Sequence, residues 1–208
     1  MAKQEKIEKL VNIEWDLFQK VNNEGGRASC QDDPETFIIM RKSYFEPLPE
    51  NVIDCVLRDF EVAQTQGRNL VSEKYAWMMK STSPVQFSEI ESALVEPSVV
   101  AKTYLELIVV YQVEWMEELA EKYPTFMSHG RPIHSSEDTP YQTSFETYLR
   151  GELYTYSEET VRAYYKFVKE QKCRNVNLIA RTMDNEGRAY GYANLADAEE
   201  KLKSGIQR

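Results

Sequence analysis

The chain has 208 residues, of which 42% are hydrophobic and 12% aromatic, and this composition excludes an intrinsically disordered protein. Its 8 glycines and 8 prolines are too few for a collagen-like or low-complexity chain. The formal charge of −9, without a Lys or Arg run longer than Arg41-Lys42, disfavours nucleic acid as a partner.

Apolar residues recur at helical spacing along most of the chain, and no segment alternates convincingly with a period of two. Asp33, Asn69 and Asn194 are predicted helix N-caps, and residues 124–142 are predicted to form a long surface loop. We therefore predict an all-α fold, a compact single-domain bundle of about eight helices over residues 1–208. The segments with helical spacing are 5–21, 34–45, 50–65, 70–80, 84–94, 98–122, 144–154, 158–172, 175–184 and 195–203.

The sequence shows no sign of a membrane, a metal or a cofactor. Its most apolar stretch, 105–113, is too short to span a bilayer, and the N-terminal residues lack an apolar signal region, so we expect a cytoplasmic protein. The three cysteines have no CxxC spacing, which argues against a disulfide framework and a Cys-rich zinc site. The only two histidines, His129 and His134, are expected to be surface-loop residues, so we predict no metal and no cofactor.

Charged residues interrupt the apolar faces of three predicted helices. Glu14 lies on the apolar line of the first helix, Arg41 shares a face with aromatic residues of the second, and Glu73 and Lys74 fall between Leu70 and Trp77. Charges in three such helices suggest that opposite charges meet inside the fold. They are interpreted either as boundary charges and structural ion pairs or as the lining of a ligand pocket.

The run from Asn22 to Asp32 has no periodicity and contains Gly25 and Gly26, so it is predicted to be a loop. Two glycines let the backbone approach a ligand closely, and Arg27 offers a planar fork for a carboxylate or phosphate. The spacing is neither GxGxxG nor a Walker loop. A tight interhelical turn, pinned by its Asn and Arg side chains, explains the same residues equally well. The other polar groups of the run include Asn23, Glu24, Cys30 and Gln31.

Two stretches of sequence carry a resemblance. The first is Trp15-x-x-Phe18-x-x-Val21-Asn22-Asn23-Glu24-Gly25-Gly26-Arg27-Ala28-Ser29-Cys30-Gln31, and the second is Gly67-Arg68-Asn69-Leu70 followed by Glu73-Lys74-Tyr75-Ala76-x-Met78-Met79. Together they resemble an uncharacterised bacterial family known only as a domain of unknown function. The resemblance implies a stand-alone cytoplasmic protein of this size, with some relatives joined to a nucleotidyltransferase-like domain. It implies no reaction, cofactor or catalytic residue.

The function is unknown from the sequence, and two hypotheses remain. The first is a small helical enzyme or binding protein for a small polar or anionic metabolite. Its charged pocket would lie near the run from Asn22 to Asp32, which we call the glycine loop. In that hypothesis Glu14 and Glu73 are the candidate catalytic residues, and the candidate ligand-binding residues are Asn23, Glu24, Arg27, Cys30, Gln31, Arg41 and Lys74. The second is a non-catalytic helical interaction module in which the loop is a structural staple. Both hypotheses are compatible with a homo-oligomer.

The sequence also makes a geometric prediction about Arg27, whether its partner is structural or serves a ligand. Since Arg27 follows two glycines, the loop can fold back over the end of the first helix. Glu14 lies about two turns before that end and would need a partner if buried. We therefore expect Arg27 to dock against a carboxylate of the helical core, with Glu14 and Glu73 as the leading candidates.

Overall fold

The computed structural model describes residues 1–22 and 25–205, and this part of the chain contains eleven α-helices and no strand. The helices are α1 Lys3–Phe18, α2 Pro34–Phe45, α3 Glu50–Thr65, α4 Leu70–Thr82, α5 Pro84–Ile90, α6 Val99–Lys122, α7 Pro124–Met127, α8 Phe145–Leu153, α9 Glu158–Cys173, α10 Leu178–Ala189 and α11 Leu195–Lys203. The all-α prediction is confirmed, and the organisation as one domain stays a prediction.

The predicted number of helices, about eight, was too low. Several of the eleven helices are short, and α5, α7, α8 and α11 have only four to nine residues each. Ten of the eleven helices in the described residues overlap the ten segments predicted from the sequence, and the remaining one, α7, is too short to display an apolar period. The predicted loop at 124–142 begins with α7 and also contains a 3₁₀ turn at Ser135–Glu137.

Polar caps start many of the helices. The predicted caps Asp33, Asn69 and Asn194 are confirmed, because each side chain accepts a hydrogen bond from a backbone N–H of the first turn. The cap of α8 is Ser144, whose hydroxyl accepts from the N–H of Thr147.

Helices α4 and α8 approach each other closely, and this contact positions the polar residues discussed below. Gly151 on α8 makes the approach possible: a Cβ there would lie 2.9 Å from the backbone oxygen of Lys74 and 2.7 Å from Cγ of Met78. The apolar core around this contact includes Leu70, Leu149 and Leu153, all at most 4% exposed. None of the helices in the described residues is long and apolar enough to cross a membrane.

Candidate functional site

Four charged side chains from four helices meet inside the fold, and we call them the charged cluster: Glu14 on α1, Arg41 on α2, Lys74 on α4 and Glu152 on α8. Each residue is only 4–7% exposed. The expectation that opposite charges meet inside is therefore confirmed for Glu14, Arg41 and Lys74. Whether they bind a ligand is a separate question.

The guanidinium of Arg41 joins the two carboxylates. Its Nε and Nη2 donate to the two oxygens of Glu14 at 2.7 and 2.6 Å, a bidentate pair. Its Nη1 and Nη2 also donate to Glu152, at 3.1 and 2.9 Å. Lys74 Nζ donates to Oε2 of Glu152 at 2.7 Å. The cluster thus holds two positive and two negative groups, which balance when all four are ionised.

Tyrosines surround the charged cluster. The hydroxyl of Tyr156 donates to Glu152 at 2.9 Å, so this carboxylate accepts hydrogen bonds from three side chains. The ring of Tyr148 lies 3.6 Å from Lys74 Nζ, and the exposed Arg131 stacks on the same ring at 4.8 Å. Tyr148 therefore separates the buried amine from a cation at the surface.

The two carboxylates differ in their environments. Burial raises the pKa of Glu14 above its ordinary value, and the opposing charge of Arg41 does not fully offset this effect. Burial also acts to raise the pKa of Glu152, but Arg41 and Lys74 together lower it well below the usual range. Glu14 is thus the member of the cluster that takes up a proton most readily, whereas Glu152 stays ionised.

A small void of about 20 Å³ lies beside the cluster, which is room for about one water. Its lining includes all four members of the cluster together with Tyr75 and Tyr148. A larger, open groove of about 790 Å³ lies elsewhere, between the start of α1, the turn after α2, α10 and the start of α11, and its lining contains none of the residues predicted to form a site.

The glycine loop closes the end of α1 instead of reaching the cluster. Gln31 Nε2 donates to the backbone oxygens of Phe18 and Val21 at 2.8 and 3.1 Å, and its Oε1 accepts from the N–H of Ala28. The last carbonyls of a helix lack partners within the helix. The Phe18 oxygen also accepts from the N–H of Val21, so Gln31 adds a second bond there and a bond to the Val21 oxygen just beyond the helix. Gly26 has a φ of +86°, which favours glycine at this turn.

The prediction that Arg27 docks against Glu14 or Glu73 was wrong. Arg27 donates to Asp32 at 2.7 Å, to Gln19 at 2.5 Å and to the backbone oxygen of Gln31 at 2.7 Å, and its side chain is 47% exposed. These bonds brace the loop on itself and on the end of α1. Because the ion pair between Arg27 and Asp32 is exposed, we expect it to add less than about 1 kcal/mol to the free energy of unfolding.

Glu73 and Cys30, which were also predicted to form the site, do not line the void beside the cluster. Glu73 pairs with both Nε and Nη2 of Arg68, at 2.8 and 2.6 Å, and does not line the void. Cys30 is an exposed free thiol. Asn23 and Glu24 lie outside the described residues, so their predicted roles stay predictions, as does a catalytic role for Glu73.

Neither histidine is part of a metal-binding group in the described residues, where no three potential ligand side chains come together. His134 lies 3.2 Å from Glu117, with both side chains close to half exposed. The absence of a metal from the working protein stays a prediction.

Glu152 is not among the residues that the sequence predicted to form the site. A pattern that could have identified it is present in the sequence. Glu152 lies three residues after Leu149 and four residues before Tyr156, and it is followed directly by Leu153. This is the same pattern of one charge within an apolar face that selected Glu14.

Replacing Gln31 tests the role of the loop. We expect Gln31→Leu to lower the free energy of unfolding by about 1–3 kcal/mol, because it removes the donor to the backbone oxygens of Phe18 and Val21 and the acceptor for the N–H of Ala28. Urea denaturation measures this change. The exposed Gln64→Leu is a matched control, expected to change stability by less than about 0.5 kcal/mol. Equal losses in the two variants would contradict a stapling role.

A family model described as "Protein of unknown function (DUF4125)" matches residues 4–200. The chain therefore belongs to this family, and the resemblance to a domain of unknown function is confirmed. The searches of curated proteins and of solved structures found no match.

Proposed function

We propose that the chain binds a small polar molecule with an anionic group at the charged cluster. The observation that carries this proposal is the burial of four charged side chains, from four different helices, around a void. A protein with such buried ion pairs is often no more stable than one with apolar side chains of the same volume at those positions. Perturbed ionisable groups gathered at one point are, in contrast, typical of binding and catalytic sites.

The chemistry of the cluster indicates the class of ligand. Arg41 and Lys74 present a guanidinium and an amine toward the same carboxylate, and both can donate to a carboxylate or phosphate of a ligand instead. Because burial raises the pKa of Glu14, this residue can be neutral in the bound state. The cluster then carries one net positive charge, which complements one negative charge on the ligand.

The void limits how the ligand enters. It holds only about one water, so a larger molecule must displace a side chain. Tyr148 is the side chain we expect to move, because its ring lies between the exposed Arg131 and the buried Lys74. If the bound molecule is also converted, Glu14 is positioned to act as the general acid or base.

A thermal-shift screen of small carboxylates and phosphates tests the proposal. We expect at least one compound to raise the melting temperature of the wild type, since a ligand at 100 times its Kd adds about 2.7 kcal/mol. The shift should disappear in Lys74→Met and persist in Lys9→Met, whose amine belongs to an exposed pair with Glu61. A compound that shifts Lys74→Met as much as wild type, or the absence of any shift in wild type, would refute the proposal.

A second candidate function is a helical interaction module, and two observations favour it. The loop is braced on its own backbone and on α1, as a structural staple would be. In addition, four apolar residues of α6 are 36–81% exposed and fall near one face at helical spacing: Val99, Val100, Leu107 and Val110. Sedimentation analysis distinguishes the candidates, because an interaction through this face between copies is disrupted by Val110→Asp and is insensitive to Lys74→Met.

A further inference from the structure

Arg131 lies on the outer side of Tyr148, at the point where we expect a ligand to enter the charged cluster. Its guanidinium carbon is 4.8 Å from the centre of the Tyr148 ring, and the buried Lys74 Nζ is 3.6 Å from the same centre. The two positive groups are therefore at most about 8 Å apart. One small molecule that replaces the ring can contact both of them.

The position of Arg131 is fixed by hydrogen bonds to the start of α8, the helix that carries Tyr148. The N–H of Phe145 donates to the backbone oxygen of Pro132, the residue after Arg131, at 2.7 Å. The side chain is tied to the same region, because Nη1 of Arg131 donates to the backbone oxygen of Thr143 at 3.2 Å. These contacts hold the guanidinium over the ring.

The charge of Arg131 is not neutralised by the part of the chain that the structure describes. Arg131 forms no ion pair with residues 1–22 or 25–205, and its Nε and Nη2 donate no hydrogen bond to them. Lys74, in contrast, is paired with Glu152 inside the fold. The guanidinium of Arg131 therefore has an edge available for an anion, and a guanidinium can bind a carboxylate through two parallel hydrogen bonds.

Tyr75 gives a second indication that Arg131 lies near the void. The ring of Tyr75 lines the void together with that of Tyr148, and burial raises the pKa of the Tyr75 hydroxyl. The positive charge of Arg131 acts in the opposite direction on this pKa, so the guanidinium lies close to the second ring as well. Arg131 is thus placed beside both tyrosines of the void.

The charges around the void indicate what the ligand must carry. In the proposed bound state Glu14 is neutral, so the cluster has one net positive charge, and Arg131 adds a second within reach of the same molecule. When Tyr148 moves aside, Lys74 and Arg131 both lose their contact with its ring. A ligand with one anionic group can replace that contact at Lys74 only, whereas a ligand with two can replace it at both cations.

We propose that the charged cluster takes a short dicarboxylate and that Arg131 is the residue that selects it. One carboxylate enters the cluster and accepts hydrogen bonds from Arg41 and Lys74. The other stays at the surface and accepts from the available edge of Arg131. This inference rests on the proposed function, because it concerns the same site.

Titration calorimetry with succinate and succinamate tests the inference. Succinamate has a neutral amide in place of one carboxylate, so the two compounds differ by one charge at nearly equal size. We expect wild type to bind succinate about fivefold more tightly, the effect of one charge-assisted contact near the surface. Arg131→Met should remove this preference by weakening the binding of succinate and leaving that of succinamate unchanged. Arg131 is exposed, so this variant is expected to fold normally.

Arg162→Met is the matched control, because Arg162 is also an exposed arginine over a tyrosine ring, that of Tyr104 at 5.5 Å. It should keep the wild-type preference for succinate. The inference is overturned if wild type does not bind succinate or binds both compounds equally. It is also overturned if Arg131→Met keeps the preference or weakens the binding of both compounds by the same factor.

Failure of the proposed function gives a different result. If Lys74→Met binds both compounds as tightly as wild type, the cluster is not the site, and the proposed function fails together with this inference. If Lys74→Met abolishes binding while Arg131→Met keeps the preference, only the role of Arg131 is wrong. If wild type does not bind succinate, the inference fails, and the thermal-shift screen decides the proposed function by itself.

Discussion

Arg41→Met is expected to lower the free energy of unfolding by about 3–5 kcal/mol at neutral pH, the cost typical of breaking a buried ion pair. The variant removes the cation that contacts Glu14 through two hydrogen bonds, and it deprives Glu152 of two of its donors. Denaturant titration measures the change. Arg58→Met is the matched control, since Arg58 pairs with Glu159 at the surface, and its loss should be under about 1 kcal/mol.

The pH dependence of Arg41→Met gives a second readout. Without Arg41, the pKa of Glu14 in the folded state rises further above its unfolded value of about 4.3, because burial is no longer opposed. A carboxyl group whose pKa is higher in the folded state than in the unfolded state destabilises the fold at any pH above its folded-state pKa. This penalty decreases as the pH falls from the folded-state pKa to the unfolded-state pKa. The deficit relative to wild type should therefore narrow between neutral pH and about pH 4. A deficit that is constant with pH would show that lost packing, not charge, causes it.

The sequence was sufficient to predict three of the four charged residues of the cluster. Glu14, Arg41 and Lys74 each lie on an apolar helix face, and that pattern depends only on local spacing. Glu152 shows the same pattern on α8, but α8 has only nine residues, so the apolar face that the charge interrupts is short. The cluster was therefore detectable in principle from periodicity.

The choice of partners could not be predicted from the sequence. Arg27 is nearer to Glu14 in sequence than Arg41 is, yet Arg41 makes the pair, because α2 packs beside α1. The loop instead fastens itself to the end of α1: Gln31 donates to the backbone oxygens of Phe18 and Val21, and Arg27 donates to Gln19 and to the backbone oxygen of Gln31. Which of several donors meets a given carboxylate depends on helix packing, and local spacing does not contain that information.

A cavity of about 250 Å³ beside the α4–α8 contact could not be predicted from the sequence either. It depends on Gly151, which lets α8 approach α4, and on the segment containing Ser135, which was predicted only as a surface loop. A void enclosed by three separate segments is a property of the assembled helices.

The two carboxylates of the cluster are expected to respond differently to neutralisation. Glu152→Gln should cost about 3–5 kcal/mol, because it leaves Lys74 buried without a carboxylate and weakens the bonds from Arg41.

Glu14→Gln should cost markedly less, about 1–2 kcal/mol, since the raised pKa means that a neutral group at this position is tolerated and one amide oxygen still accepts from Arg41. The two variants are matched controls for each other, because both replace a buried glutamate with its neutral isostere. Urea midpoints measured at neutral pH give the comparison. Equal losses would show that Glu14 and Glu152 are equivalent structural partners of Arg41, and the assignment of Glu14 as the group that exchanges a proton in the bound state would then be wrong. A smaller loss in Glu14→Gln, together with a ligand-induced thermal shift that this variant retains, would instead show that the neutral form of Glu14 is the one that accompanies the bound anion.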